Sequence, residues 1–384
     1  MSGRLHNFYK SLISEPPAGY RIISKDNYVL RGVRNESLER KFDSAMYYFG
    51  RTKIPVKVLK SLASAFTRGP PDSDLVMTSG FINLRNEEWL VWIEDALSSL
   101  QGTAIDNKLV HGFIESKLAS ETCKGILCFN DATRISLLST YHSGDFKNKI
   151  KIVPPSVSLV SRFERPREKK QIDIVFIGST QFTSTIQFFL RGGHIVVKSF
   201  LALAKEFSNI RLWIRCTTPT EYIMALRGEK RIAILGTLDR NSFAALLRDA
   251  DIFVLPTITT PWTSFLDAMN YGLPIVTVGT HANSEYVENG KSGIVAAVPS
   301  ALSSITHNYC IPNWNTMHRV LHTWFEDEEL VTETKNALRT LIRDADLRNE
   351  LGREGRRNIE AGGKFSIGRR NQVLKQVLDS ALIR

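Results

Sequence analysis

The densest chemistry in the chain lies between Asp251 and Pro274, which reads Asp251-Ile-Phe-Val-Leu-Pro-Thr-Ile-Thr-Thr-Pro-Trp-Thr-Ser-Phe-Leu-Asp-Ala-Met-Asn-Tyr-Gly-Leu-Pro274. An apolar run closes at Pro256, and a polar loop then opens a helix near Trp262–Thr263. The first turn of a helix leaves backbone N–H groups without partners inside the helix. With the Thr263 and Ser264 hydroxyls they form an anion site. Asp267 follows about one turn later, where a carboxylate would repel a phosphate but accept hydrogen bonds from a diol such as ribose. A second group lies upstream. Gly178-Ser179 closes a strand-like run, and Arg191-Gly192-Gly193 opens the next helical stretch. A cation at a helix start opposes the helix dipole. An anion in front of Arg191 resolves that conflict as a bidentate clamp. Diphosphate on one side and a sugar diol on the other is the chemistry these residues suit.

The elements that must carry these residues alternate. Ile172–Gly178, Ile210–Arg215, Ile232–Gly236, Asp251–Pro256, Pro274–Val278 and Gly293–Ala297 read as strands. Helical spacing falls between them at Ile195–Ala204, Asn241–Arg248 and Thr263–Tyr271, with Asp239 as an N-cap. Such alternation predicts a parallel sheet with helices on both faces, binding its ligand past the carboxyl ends of the strands. The first half repeats the pattern more loosely, with strands at Leu75–Thr78, Trp89–Ile93, Gly125–Phe129 and Ile150–Val153 and an N-cap at Asn130. Residues 154–171 open on two prolines and carry five basic residues, as an interdomain linker does. The reading is therefore an α/β chain of two domains, 1–153 and 172–360, with residues 361–384 forming a helix that returns towards the first domain.

With 384 residues, 43% of them hydrophobic, the chain is long enough for two buried cores. Its apolar runs are far shorter than the ~18 residues that span a bilayer, and Met1–Lys10 lacks the apolar core of a secretory signal. Four cysteines, at 123, 128, 216 and 310, fit neither a zinc site nor a redox pair, so a reducing cytoplasm is the expected compartment. The net charge is +11, and residues 1–70 hold thirteen Lys/Arg against five acids. That excess matches either a solvated basic face or an anionic partner, such as the inner face of a membrane. Ile54–Arg68 shares the ambiguity, because one face is apolar and the other carries Lys57, Lys60 and Arg68 but no acid. No nucleic-acid-binding module accompanies the charge, so nucleic acid is not expected as a partner.

From Ile172 to Ala297 the chain resembles the donor-binding domain of family-four (group 1) glycosyltransferases, retaining enzymes of the GT-B fold. The resemblance rests on strand-Gly178, Arg191-Gly192, Leu235-Gly236 and Asp249-Ala-Asp251-Ile-Phe-Val-Leu-Pro256. It continues through Asp267-Ala-Met-Asn-Tyr-Gly272-Leu-Pro274 and Ser284-Glu285-Tyr-Val-Glu-Asn-Gly290-Lys-Ser-Gly293. It implies two Rossmann-like parallel-sheet domains facing across a cleft. The substrate implied is a nucleoside diphosphate sugar, with transfer to a glycan or lipid-linked acceptor and no cofactor or metal. The paired-glutamate motif of the family falls on Thr259 and Asp267, so an uncharged hydroxyl stands where relatives touch the donor sugar. The Arg that commonly follows the first-strand glycine is Ser179, leaving Arg191 to keep the other diphosphate cation. By the same resemblance the backbone at Pro261, Trp262, Thr263 and Ser264 holds the distal phosphate, and Thr237 and Leu238 flank the nucleobase. Glu285 stands at a helix start, with structural and ligand roles both open.

In the first domain Glu94 occupies the strand end where relatives place a cleft-facing His. It reads either as a catalytic group that orients the acceptor or as a surface acid beside an Asp95 N-cap. Gly80 and Asn83 are candidates to line the same cleft. Asp249-Ala-Asp251 and Asp344-Ala-Asp346 look like the metal motif of the other glycosyltransferase fold, but they sit at a strand lead-in and a helix joint. His194 and His281 have no second ligand at metal spacing, and only His281 is placed to touch a donor. The substitutions at Thr259 and Ser179 leave a second reading open, a nucleotide-sugar-binding subunit with little or no catalysis.

Overall fold

The computed structural model describes residues 7–23, 73–94, 108–142, 144–160, 170–178, 185–299, 324 and 327–382. The basic stretch at 24–72, including the amphipathic 54–68 segment, lies outside them, as do Asp95, Ser179, Cys310, half of residues 154–171 and residues 300–323. In chain order the elements begin with α1 (Asn7–Ser14), β1 (Val76–Ser79), β2 (Trp89–Ile93), α2 (Lys108–Ala119), β3 (Cys123–Cys128), α3 (Asp131–Thr140) and β4 (Ile150–Ile152). There follow β5 (Ile172–Ile177), α4 (Ile186–Leu190), α5 (Gly193–Leu203), β6 (Ile210–Arg215), α6 (Thr220–Leu226), β7 (Ile232–Leu235), α7 (Arg240–Asp249) and β8 (Ile252–Leu255). The last are α8 (Trp262–Asn270), β9 (Ile275–Val278), α9 (Asn283–Tyr286), β10 (Gly293–Ala296), α10 (Glu328–Arg343), α11 (Ala345–Arg357) and α12 (Ile367–Leu382). They fall into two compact units. One holds the described residues up to Ser156 together with α12, the other those from Val157 to Ser366.

The first unit is a parallel sheet in the order β1-β2-β3-β4. Its strand β2, Trp-Leu-Val-Trp-Ile, is buried along its whole length, as an apolar run covered on both faces must be. Trp89, Val91 and Ile93 pack with Ile114 and Leu118 of α2 and with Ile126. Asn130 caps α3, accepting the Thr133 N–H at 2.8 Å. On the other side of β2, Phe8 of α1 meets Trp92 edge-on at 5.1 Å and Phe129 at 5.0 Å.

A buried cation ties α12 into this unit. Arg370 is fully buried and donates to Ser11 Oγ at 2.7 Å, to the Glu15 carbonyl at 2.6 Å and to Asn371 Oδ1 at 2.8 Å. Desolvation lowers its pKa to about 10, which still leaves it charged at neutral pH. Tyr20 adds a hydrogen bond to Asp379 at 2.6 Å. Arg370→Met strands the Ser11 and Glu15 acceptors, so a loss of about 2–3 kcal/mol is expected in urea unfolding. A variant as stable as the parent would show that the acceptors find water instead.

The second unit is a six-stranded parallel sheet ordered β10-β9-β8-β5-β6-β7. Counted from β5 as first, the order is sixth, fifth, fourth, first, second, third, so the winding reverses between β5 and β8. In doubly wound sheets the ligand crevice lies at that reversal, outside the carboxyl ends of the strands. Asp239 caps α7 through the Asn241 and Ser242 N–H groups at 2.9 and 3.1 Å. Helix α5 is clamped by α10 through Ser199 Oγ to the Val331 carbonyl at 3.0 Å. His194 lies buried 3.1 Å from the Trp324 carbonyl, and desolvation lowers its pKa to about 4, so it is a neutral core residue. No described helix is long and apolar enough to cross a membrane.

Observed strand limits lie within two residues of those read from the sequence. Helices α1, α4 and α6 were not anticipated. The three described cysteines are free and buried.

Candidate functional site

The crevice is built from the carboxyl ends of β5 and β8. Gly178 follows β5, and a Cβ there would stand 2.2 Å from Cys216 Sγ, so no side chain fits. Gly192 has φ +76, and its Cβ would lie 1.9 Å from the Pro256 carbonyl oxygen. The Arg191-Gly192 turn therefore lies backbone-on-backbone against the end of β8. Leu190 completes the junction by accepting from the Ile258 N–H at 3.1 Å and from Thr257 Oγ1 at 3.3 Å. The two segments that the sequence marked separately, 191–193 and 256–264, are thus one assembly.

One sequence expectation needs correcting. Arg191 does not open a helix; it is the C-cap of α4, and Gly192 is the N-cap of α5. A cation at the end of α4 complements the dipole of that helix and offsets the conflict with α5. Arg191 is half-buried in this joint.

Beyond Pro256 the loop is held by hydroxyls. Thr257 Oγ1 accepts the Thr259 N–H at 3.2 Å, and the Thr257 carbonyl accepts from Thr280 Oγ1 and, at 3.0 Å, from Asn283 Nδ2. Thr260 Oγ1 lies 2.8 Å from His281 Nδ1 and accepts the Ala282 N–H at 3.0 Å. His281 itself takes φ +46, a left-handed conformation that costs a non-glycine residue about 1–2 kcal/mol. These residues keep Thr259 half-buried at the mouth of the crevice.

No side chain caps α8, whose N-cap is Pro261. Of the amides expected to face a phosphate, that of Ser264 already donates to the Pro261 carbonyl at 2.8 Å. The Thr263 amide makes no hydrogen bond among the described residues, and it is the donor best placed for an anion. Trp262 is buried beneath the turn. Asp267, one turn on, is half-buried and accepts no hydrogen bond among the described residues.

Desolvation raises the Asp267 carboxyl from 3.8 to about 7. The fold then favours the protonated form. Its stabilising contribution is complete below the unfolded value near pH 4 and is lost as pH rises through about 7. Asp267→Asn should remove that loss. At about pH 8 the variant is expected to be roughly 1–3 kcal/mol more stable than the parent, allowing for partial solvent screening. Thermal unfolding at pH 5 and pH 8 checks this, and equal pH slopes for the two proteins would contradict it.

The remaining candidates are more peripheral. Thr237 is exposed and Leu238 half-buried after β7, and Leu238 lines a cavity of about 260 Å³ under α7 with Arg211, Trp213 and Ser242. Glu285 is half-buried in α9, and its carbonyl accepts from Lys364 Nζ at 2.6 Å. Glu94 is in the other unit, exposed just after β2, with its carbonyl accepting from Thr133 Oγ1. Gly80 bonds to the Trp92 carbonyl at 2.9 Å, and Asn83 is occupied by Glu87 and the Arg85 N–H. Among the described residues no cluster of three His, Cys, Asp or Glu could hold a metal ion.

Residues 171–307 match the family model described as Glycosyl transferases group 1. No curated protein matches the chain. Among solved structures it is similar to Anabaena Alr3699/HepE in complex with UDP and glucose, at 13% identity and TM-score 0.55, over 86% of this chain and 83% of that one. Sucrose-phosphate synthase from Thermosynechococcus elongatus is similar at 12% identity and TM-score 0.54, over 92% and 80%. A mutant of S. aureus TarM, in complex with fondaparinux, alpha-GlcNAc-glycerol and UDP, is similar at 15% identity and TM-score 0.52, over 78% of this chain. The chain spans only 52% of that protein's length. At these identities the likeness is one of fold, the two-domain Rossmann-like GT-B fold of glycosyltransferases, and the group 1 match falls in the second unit.

Proposed function

We propose that this chain is a glycosyltransferase that moves a sugar from a nucleoside diphosphate sugar to a glycan or lipid-linked acceptor. The observation that carries the reading is the docking of the Arg191-Gly192 turn against Pro256. It brings the Arg191-Gly192 turn and the loop leading to α8 together at the winding reversal, within the segment that matches the group 1 family.

In this reading the bond between the anomeric carbon and the distal phosphate oxygen breaks, and the leaving diphosphate takes the electron pair. The acceptor hydroxyl oxygen forms the new bond and releases its proton. Arg191 and the Thr263 amide stabilise the developing charge on the diphosphate, a preorganised electrostatic task. Gly178 lets the phosphates approach the backbone, Asp267 binds the ribose diol, and Thr237 with Leu238 flanks the base. Thr259 meets the donor sugar through its hydroxyl and Glu285 borders the same pocket. Glu94 orients the acceptor. Retention at the anomeric carbon and independence from added metal belong to the same proposal.

HepE and TarM were each solved with UDP, which makes UDP-sugars the first donors to try. Thermal-shift screening with UDP-, GDP- and ADP-sugars, followed by a transfer assay in EDTA, tests the reading. Expected are stabilisation by one nucleotide class and acceptor-dependent nucleotide release. Absence of nucleotide binding across the panel overturns it.

A further inference from the structure

The strand β6 reads Ile-Arg-Leu-Trp-Ile-Arg and alternates between buried and half-buried positions, so Arg211, Trp213 and Arg215 share one face. The two arginines on that face are treated very differently. Arg211 is neutralised by Asp173, whose Oδ1 accepts its Nε at 2.8 Å, and it lies 4.3 Å over the Trp213 ring. Arg215, at the carboxyl end of the same strand, pairs with no carboxylate among the described residues. Its Nη1 donates to the Gly178 carbonyl at 3.2 Å, and the guanidinium lies 5.4 Å from the Phe243 ring centroid on α7. Its Nε is buried with no hydrogen-bond partner.

A desolvated cation without a counter-charge is a net cost to the fold unless something else compensates it. Burial lowers the Arg215 pKa from its usual value, in keeping with that cost. The location narrows what the compensating group is. Gly178, the residue Arg215 holds, closes β5 at the winding reversal, and Gly178 N–H in turn donates to the Arg215 carbonyl at 2.9 Å. Arg215 therefore stands at the phosphate-binding edge of the sheet, not at its opposite end where Arg211 and Asp173 meet.

We infer that Arg215 is a second anion-binding residue of the donor site, contacting the diphosphate of the nucleotide alongside Arg191. The inference rests on the donor-site reading given above. It also gives the site a second guanidinium although position 179 carries Ser.

The test is isothermal titration of the full chain with inorganic pyrophosphate, UDP and uridine, using the parent, Arg215→Met, Arg215→Lys and Arg191→Ala. Arg215→Met is expected to weaken pyrophosphate and UDP by about tenfold or more, the loss of one charge-assisted pair, with uridine unchanged. Arg215→Lys keeps the charge but not the fork, and its affinities are expected to fall between those of the parent and Arg215→Met. Without ligand, Arg215→Met should melt within a few degrees of the parent, because it loses one hydrogen bond to the Gly178 carbonyl and the contact with Phe243 but breaks no ion pair among the described residues. Pyrophosphate affinity within twofold of the parent in Arg215→Met overturns the inference. If Arg191→Ala weakens UDP while Arg215→Met does not, the donor site stands and only Arg215 is lost. If neither variant weakens UDP, both readings fall. Should Arg215→Met fail to fold, Arg215→Lys decides alone, parent-like affinity for both anions overturning the inference.

Discussion

Gly192→Ala is expected to lower the melting temperature by roughly 5–15 °C and to abolish nucleotide binding with it. The added Cβ would stand 1.9 Å from the Pro256 carbonyl oxygen and 2.8 Å from Pro256 Cγ, distances at which one backbone must give way. A left-handed alanine costs about 1 kcal/mol on its own. The overlap adds about 1–3 kcal/mol, because a packed junction relaxes only partly. For a domain of this size each kcal/mol moves the midpoint by about 2–4 °C. The damage is placed where it reaches function: Leu190 and Ile258, each two residues from the clash, share the hydrogen bond that joins the two halves of the crevice. An unchanged melting temperature would mean that the turn does not lie under β8.

Arg191→Ala should have the opposite profile. A cation at the C-cap of α4 contributes about 0.3–1 kcal/mol through the dipole, so the melting temperature should move by only a few degrees. The loss of kcat/KM for the donor is expected to be about 10²–10³-fold, the usual consequence of deleting one preorganised donor to a developing anion. Steady-state kinetics at varied donor concentration, with circular dichroism as the control for folding, gives the comparison. Full activity in Arg191→Ala would remove the central residue of the proposed mechanism. Together the two variants separate the scaffold from the chemistry, since neighbouring residues fail in different measurements.

Much of the second unit was legible because parallel strands buried on both faces announce themselves. Ile172–Ile177 and Ile252–Leu255 are apolar runs that end at Gly178 and Pro256, where the site begins. Asp239 and Asn130 were legible as caps because a short acceptor side chain before a helical run has few other uses. Helix α4 was not. Ile-Gln-Phe-Phe-Leu is too short to display a period, and without it Arg191 reads as a helix start instead of the joint between two helices. The hydroxyl scaffold was equally hidden. Thr260, Thr280 and Asn283 act through backbone groups 22, 23 and 26 residues away, and nothing in their spacing names those partners. Asp267 could be picked out as a carboxylate in the right place, but its altered acidity depends on what surrounds it in three dimensions. Arg215 passed as an ordinary strand end, because polar or aromatic residues alternating with apolar ones, here Arg211, Trp213 and Arg215, are what a solvent-facing edge also looks like.

The reversal between β5 and β8 also bears on how this domain holds together. Gly178 and Arg191 come from the half that runs to β7, whereas Thr259, Thr263 and Asp267 come from the half that starts at β8. On the proposed reading neither half holds the whole donor surface, so a bound nucleotide would act as a fastener across the seam. A ligand that binds only the joined form adds stability by mass action, about 2.7 kcal/mol at a hundredfold excess over its dissociation constant. Substrate supply would then set the lifetime of this unit against unfolding as well as its rate of turnover.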